Sequence, residues 1–445
     1  KGDLTKITRP DGSYETGTYD SRGNLLTATD GNGNTVTLDY DILNRVTKYT
    51  DANGYITKYE YSPNGNTTKI TDALGFSSTA EYNKDGKILK ETDNNGNAIS
   101  YLYDKKTGLL SQTTDALSNV EKYQYDIMGN ISSVTAADGG ITSYNYDLLG
   151  RLETVTNALG YKTTYTYDVN GNITEEVDEL GNVTKNTYDK LNRVIAQTDV
   201  LNRTSTYEYD ELGRTIKEID ASGGITKYKY DKVGNVIETT DALGNVTKNE
   251  YNSVGLLKST TDALGNKIRY EYDKEGRQTK ETDAIGNVTL WEYDKNDNLT
   301  KVTDANGNST TYTYDKENQV TSITDALGNK VTYEYDAAGN KVVEKDALGN
   351  TTKYAYDAAN NVTQITNALN KVTKYEYNAK GQLIKETDAK GKVTSYSYDK
   401  NGNQEKVTNA LGAITSYTYD AKNQLLEEKD AKGNVIVRCP FLRIR

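Results

Sequence analysis

The segment Asp241-Ala-Leu-Gly-Asn-Val-Thr-Lys-Asn-Glu-Tyr-Asn252 returns as Asp325-Ala-Leu-Gly-Asn-Lys-Val-Thr-Tyr-Glu-Tyr-Asp336, and variants of it run through the chain at a fixed step. The head of the unit falls at residues 9, 30, 51, 72 and 93, then at 115 and every 21 residues to 430. One step is 22 residues long, and its extra residue lies within Asp104-Lys-Lys-Thr-Gly108. A period of this length marks a repeat array, in which each unit packs only on its neighbours. The 445 residues are therefore expected to form one continuous array of about 20 units over 1–436. Residues 437–445 form an atypical end rather than a repeat. Length alone would have suggested two to four globular domains.

Each unit carries two turn signals. One is Asp-Ala-Leu-Gly-Asn, as at Asp241 to Gly244 and Asp262 to Gly265. The other follows a tyrosine, as at Asp273 to Gly276. Both set Gly three residues after Asp, the spacing of a type I turn closed by a left-handed residue. Asp can bond the amide two residues on, and Gly takes positive φ without steric cost. Where Gly is missing from the second turn, the chain has Asn44, Asn192, Asp297, Asn318, Asn360 or Asn423, the types that best tolerate that conformation. At the first turn the departures are Ser118, Asn202 and Asn370, and Ser118 fits least.

Between turns lie six- or seven-residue stretches such as Asn245–Tyr251 and Asn235–Thr240, long enough for strands. The reading is all-β: tandem hairpins zigzagging into one continuous antiparallel, spiralling superhelical sheet. Side chains alternate, so Tyr59 and Tyr61 share a face, as do Tyr144 and Tyr146, Tyr207 and Tyr209, and Tyr333 and Tyr335. The second tyrosine of each pair is present in all 20 units, and Trp291 fills one first-tyrosine slot. These rings are expected to form a structural ladder, worth about 0.2–1 kcal/mol per cross-strand neighbour. Some 40 strands at ~4.8 Å make a ribbon roughly 190 Å long. It would be one strand tall, so a closed container needs more chain or more copies.

Composition agrees with a thin polar sheet: 35% hydrophobic residues, 38 Tyr and only 3 Pro. A net charge of -11 spread along the chain argues against a nucleic-acid footprint. No apolar run is long enough for membrane insertion. With 0 His, catalytic triads and histidine metal sites are excluded. Recurring identical aspartates suit turn capping rather than a singular active site, so no catalytic residue and no cofactor is assigned. Asp51-Ala-Asn-Gly54 and Asp304-Ala-Asn-Gly307 resemble the start of a calcium loop, but the closing Glu of such a loop is missing. Cys439 stands alone, which excludes an internal disulfide. Lys1 is followed by no leader, so the chain reads as a fragment, a processed product or an engineered piece.

The Tyr-Asp dipeptide in this frame, kept in 16 of 20 units, resembles the mark of YD repeats, also called Rhs repeats. Such repeats in bacterial Rhs proteins and insecticidal toxin complexes form a spiralling β-sheet shell around a toxic polypeptide. Related repeats occur in the teneurin cell-adhesion receptors. The resemblance implies a non-enzymatic scaffold, secreted or at the cell surface. Its expected partners are an enclosed polypeptide cargo or further copies through sheet edges, with carbohydrate as another partner the aromatic faces could take. The family's conserved closing core, with its aspartate autoprotease, has no counterpart in this sequence. The alternative function is an extracellular self-assembling fibre or tube, or a surface adhesin.

Overall fold

The computed structural model describes residues 2–437. Those residues contain no helix. Their 42 strands lie in a single sheet that stays open, each strand antiparallel to its sequence neighbour. Six-residue and five-residue strands alternate, as in Val236–Thr240, Val246–Tyr251 and Leu257–Thr261. The strands are a residue or two shorter than the sequence suggests, because Asn235 and Asn245 belong to the loops. The amide of Asp241 donates to the Asn245 carbonyl at 3.0 Å and closes the loop there. The extra residue near Asp104 is absorbed in the same way. Its loop closes from Asp104 to Leu109 at 2.8 Å, and the strands on either side still pair.

The two ladders of each repeat differ. A short strand and the long strand after it pair over three residues, as in Glu238↔Lys248 to Thr240↔Val246. The long strand and the next short one pair over four, with a bulge before the second tyrosine: Glu250 faces Ser259, yet Tyr251 faces Leu257. The bulge leaves Lys258 as an extra residue on the short strand. Where that extra residue is threonine, its hydroxyl commonly finds the neighbouring strand's carbonyl, although Thr321 bonds the Thr313 hydroxyl instead. Thr68 bonds Glu60, Thr174 bonds Thr166 and Thr300 bonds Glu292, each at 3.1–3.2 Å.

Burial is shallow. In Ile56–Tyr61 the residues alternate exposed and half-buried, with Lys58 and Glu60 outward and Tyr59 and Tyr61 on the covered face. Ala421 is the one buried hydrophobic residue among those described. The exposed area is 27158 Å², where a compact globule of this mass would expose about 17,000 Å². Stability therefore rests on the ladder and on neighbour contacts rather than on a core.

The chain divides into two compact units, each discontinuous in sequence. The first comprises Lys1–Gly96, Glu208–Ile219 and Gly224–Thr351, and the second Asn97–Tyr207, Asp220–Gly223 and Thr352–Arg445. Within each, a later stretch of ladder returns to lie tip-on-tip against an earlier one. The atypical end expected over 437–445 falls, after Val437, outside the described residues, as does Cys439.

Candidate functional site at the hairpin tips

The chemistry of this chain is concentrated where hairpins turn. Asp241 Oδ1 accepts the amides of Leu243 and Asn245 at 2.9 and 2.8 Å, and its Oδ2 accepts Asn245 Nδ2 at 2.8 Å. Asp262 repeats this with Leu264 and Asn266. Asp273 does so with Glu275 and Arg277, whose Nε donates at 2.6 Å. Gly244, Gly265 and Gly276 take φ of 84°, 88° and 84°. The Asn245 and Asn266 side chains hold the Asp241 and Asp262 carboxyls below the usual range. Burial pushes the Asp273 carboxyl up, but the bonds from Arg277 outweigh it and the net shift is down.

The second tyrosine of a repeat reaches backward. Its hydroxyl donates to the first carbonyl of the preceding short strand: Tyr61 to Val46 at 2.6 Å, Tyr146 to Ile131 at 3.0 Å, Tyr335 to Val320 at 2.7 Å. That carbonyl lies beyond the last paired residue of the three-residue ladder, so the phenol supplies a donor where the ladder has opened. Burial pushes these hydroxyls up. Tyr59, Tyr144 and Tyr333 face Ile70, Val155 and Glu344 across the bulged ladder. Tyrosines of successive units thus stand two strands apart, with a short-strand side chain between them. Tyr207 and Tyr209 occupy the same places in Thr204–Tyr209, half-buried. Trp291 faces Val302. Asn186 and Asn249 replace the first tyrosine and send their amides to the carbonyls of Ile173 and Val236, which Tyr188 and Tyr251 also use.

Sequence reasoning missed a second set of residues, which tie one repeat to the next. Arg45 bonds Asp41 in its own turn and donates to the Ser62 carbonyl in the next at 3.1 Å. Its guanidinium also lies 4.6 Å from the Tyr61 ring centroid. Arg151, Arg214 and Arg277 repeat the arrangement over Tyr167, Tyr230 and Tyr293. Where the left-handed residue of a second turn is not Gly, its side chain is used too. Asn24, Asn172, Asn298 and Asn403 donate to Asn44, Asn192, Asn318 and Asn423. Arg277 pairs with Asp297 at 2.6 Å.

A third set joins stretches far apart in sequence. In the first unit, first turns meet second turns eleven repeats on. Glu275 accepts the Gly31 amide at 2.6 Å, Glu317 accepts that of Ala73 at 2.8 Å, and Asn296 bonds Asp51 at 2.7 Å. Burial pushes the Glu317 carboxyl up, and Asp72 and Asp315 add to it. In the second unit the contacts are salt bridges, Lys380–Asp138 at 2.7 Å and Lys422–Asp178 at 2.5 Å. Glu275, Asn296, Glu317, Lys380 and Lys422 each hold the third place of a second turn. The signal in sequence is that this place is mostly apolar from Leu43 to Val254 and polar or small from Glu275 onward. An open cleft of about 620 Å³ lies along the first unit's contact, lined by Tyr19, Tyr49, Tyr55, Glu275 and Glu317. Among the described residues no group of three His, Cys, Asp or Glu side chains is placed to hold a metal ion.

The RHS Repeat family profile matches residues 1–35, 19–54, 40–77, 103–141, 293–330, 314–351, 335–372, 377–414 and 398–435. The Teneurin YD-shell profile matches residues 140–305. No curated protein matches by sequence. Among solved structures, the fold is similar to TcdB2-TccC3, with 16% identity, a TM-score of 0.71, and 97% of this chain covered against 30% of that one. TcdB2-TccC3-Cdc42 gives 16% identity and a TM-score of 0.71, covering 94% of this chain and 28% of that one. The Photorhabdus luminescens Tc holotoxin pore gives 15% identity and a TM-score of 0.66, covering 94% and 29%. The chain spans less than a third of the solved chains it resembles.

Proposed function

Because this chain belongs to the RHS repeat family, whose profile matches more than half of it, we propose that it is a section of shell wall: a non-enzymatic scaffold that, with the rest of its shell, encloses a polypeptide cargo. The observation that carries this reading is the near-complete superposition of the chain on part of much longer toxin-complex chains. A wall is built from material of this kind. Its stability is spread over repeats, its side chains are spent on neighbouring repeats, and no site is singular. The aspartates are committed to turn amides, which supports the assignment of no catalytic residue. The tyrosine columns act as structural ties, with the second hydroxyl bonding backward. The protein acts outside the cell or at its surface.

The test is cryo-electron microscopy and limited proteolysis of the protein purified from its complete reading frame. Density for a ladder wall around further polypeptide, and resistance of that polypeptide to protease until acid opens the wall, is the expected result. Immediate digestion of every segment outside the ladder would overturn the enclosure.

A further inference from the structure

The same residue at the same hairpin position is covered in one stretch of each unit and bare in another. In the first unit, Leu74 sits in a first turn held by Glu317 and is 41% exposed, whereas Leu243, Leu264, Leu327 and Leu348 are 88–89% exposed. In the second unit, Leu180, in the turn gripped by Lys422, is 42% exposed, whereas Leu411 is 88% exposed. The local turn is alike in all of these. The difference is whether a second-turn edge lies on the leucine.

The free second-turn edge has its own bias. Second turns that dock carry Glu275, Asn296, Glu317, Lys380 and Lys422 at their third place. Undocked turns of the second unit carry Met128, Leu149 and Leu191 there, with Asn170 between the last two, and Ile127, Leu148 and Val169 sit alongside, all exposed. Singly exposed apolar residues are ordinary, but a row of them on successive tips marks an interaction surface.

We propose that the free first-turn edge of one copy of this chain docks on the free second-turn edge of another copy, continuing the tip-on-tip contact that each unit already makes within itself. The occupant follows from that internal contact: within the chain, the element lying on the row of first-turn leucines is a second-turn edge. The turn aspartates are already bonded internally, so what each free tip offers a partner is its apolar side chain. The two edges differ, so the contact is heterologous and adds copies in an open stack instead of closing a dimer. This holds whether or not anything is enclosed.

The test is sedimentation velocity over a concentration series, with two charged variants. One carries L243K, L264K, L327K and L348K; the other carries M128K, L149K and L191K. The wild type should grow beyond a dimer as concentration rises. Each variant alone should stay monomeric, its association at least about tenfold weaker. Mixed one to one, the variants each retain one good edge and should form a dimer that grows no further. A monomeric wild type at every soluble concentration, variants that associate like the wild type, or a mixture without dimers would each overturn the proposal. Circular dichroism checks folding, and if a lysine set unfolds, Leu264→Asn and Leu149→Asn serve in the same mixing design. A monomeric result leaves enclosure, which is read by proteolysis, untouched.

Discussion

A phenol does what a phenyl ring cannot at the second tyrosine. The hydroxyl of Tyr146 meets the Ile131 carbonyl at 3.0 Å, so Tyr146→Phe should cost about 1 kcal/mol, read as faster amide exchange in the hairpin Ile131–Tyr146. Gln424 shows the opposite fault. It stands where Asn or Arg elsewhere reaches the turn aspartate, and Asp420 Oδ2 is buried without a hydrogen-bond partner among the described residues. Gln424→Asn should bring an amide within reach and add about 1 kcal/mol of stability, read as a higher urea midpoint. The presence of tyrosine in every repeat was legible in the sequence. The use of its hydroxyl was not, because that depends on where the bulge opens the ladder, and the bulge leaves no residue signature of its own.

At the scale of the hairpin, the spacing of Asp and Gly announces the loop, and alternation announces the strands. The sequence understates how far the loops extend, since Asn245 is polar enough to begin a strand but is spent on Asp241. A turn's preference for Gly can be tested against its neighbour. Gly255 takes φ 86° and lies twenty residues after Asn235, the spacing at which Asn24 bonds Asn44. Gly255→Ala should cost about 1–2 kcal/mol for the left-handed backbone, while Gly255→Asn should be close to neutral, with both read from thermal melts. Acid should open the turns. The Asp241 and Asp262 carboxyls are lowered in the folded state from 3.8, chiefly by the Asn245 and Asn266 side chains. Their contribution is fully present above that value and is lost as pH falls through the lower folded one. Circular dichroism during an acid titration should show the sheet holding at pH 5 and melting below about pH 3.8.

Across each whole unit, the contacts that join distant stretches were the part least legible in the sequence. Lys422 and Asp178 are adjacent only because the ladder returns after a set number of repeats, a quantity that twist and bulge decide together. Lys422→Ala leaves the nearly buried Asp178 with Asn182 and backbone amides alone. It should destabilise the second unit by about 1–2 kcal/mol, with solvent screening limiting the loss. Burial pushes the Asp178 carboxyl up, Lys422 and Asn182 outweigh it, and the net shift is down from 3.8. The pair therefore stabilises above that pH and fails as pH drops through the folded value. Hydrogen exchange across Asp178–Asn182 should show the loss at neutral pH in the variant and only in acid in the wild type.

The return from Gly31 to Glu275 and from Asp138 to Lys380 is eleven repeats and about half of another in both units, so a first turn always meets a second turn. That fixed half-step offset sets a rule for heredity here. Duplicating or deleting one complete repeat in the gene keeps tip opposite tip and merely reassigns partners. Losing half a repeat would set a tip against a gap and send a strand in the wrong direction. Variation by unequal exchange between copies is thus tolerated only in whole steps. Each such step also reshuffles which charged tip meets which, so the array can be lengthened readily but its polar contacts must be re-selected each time.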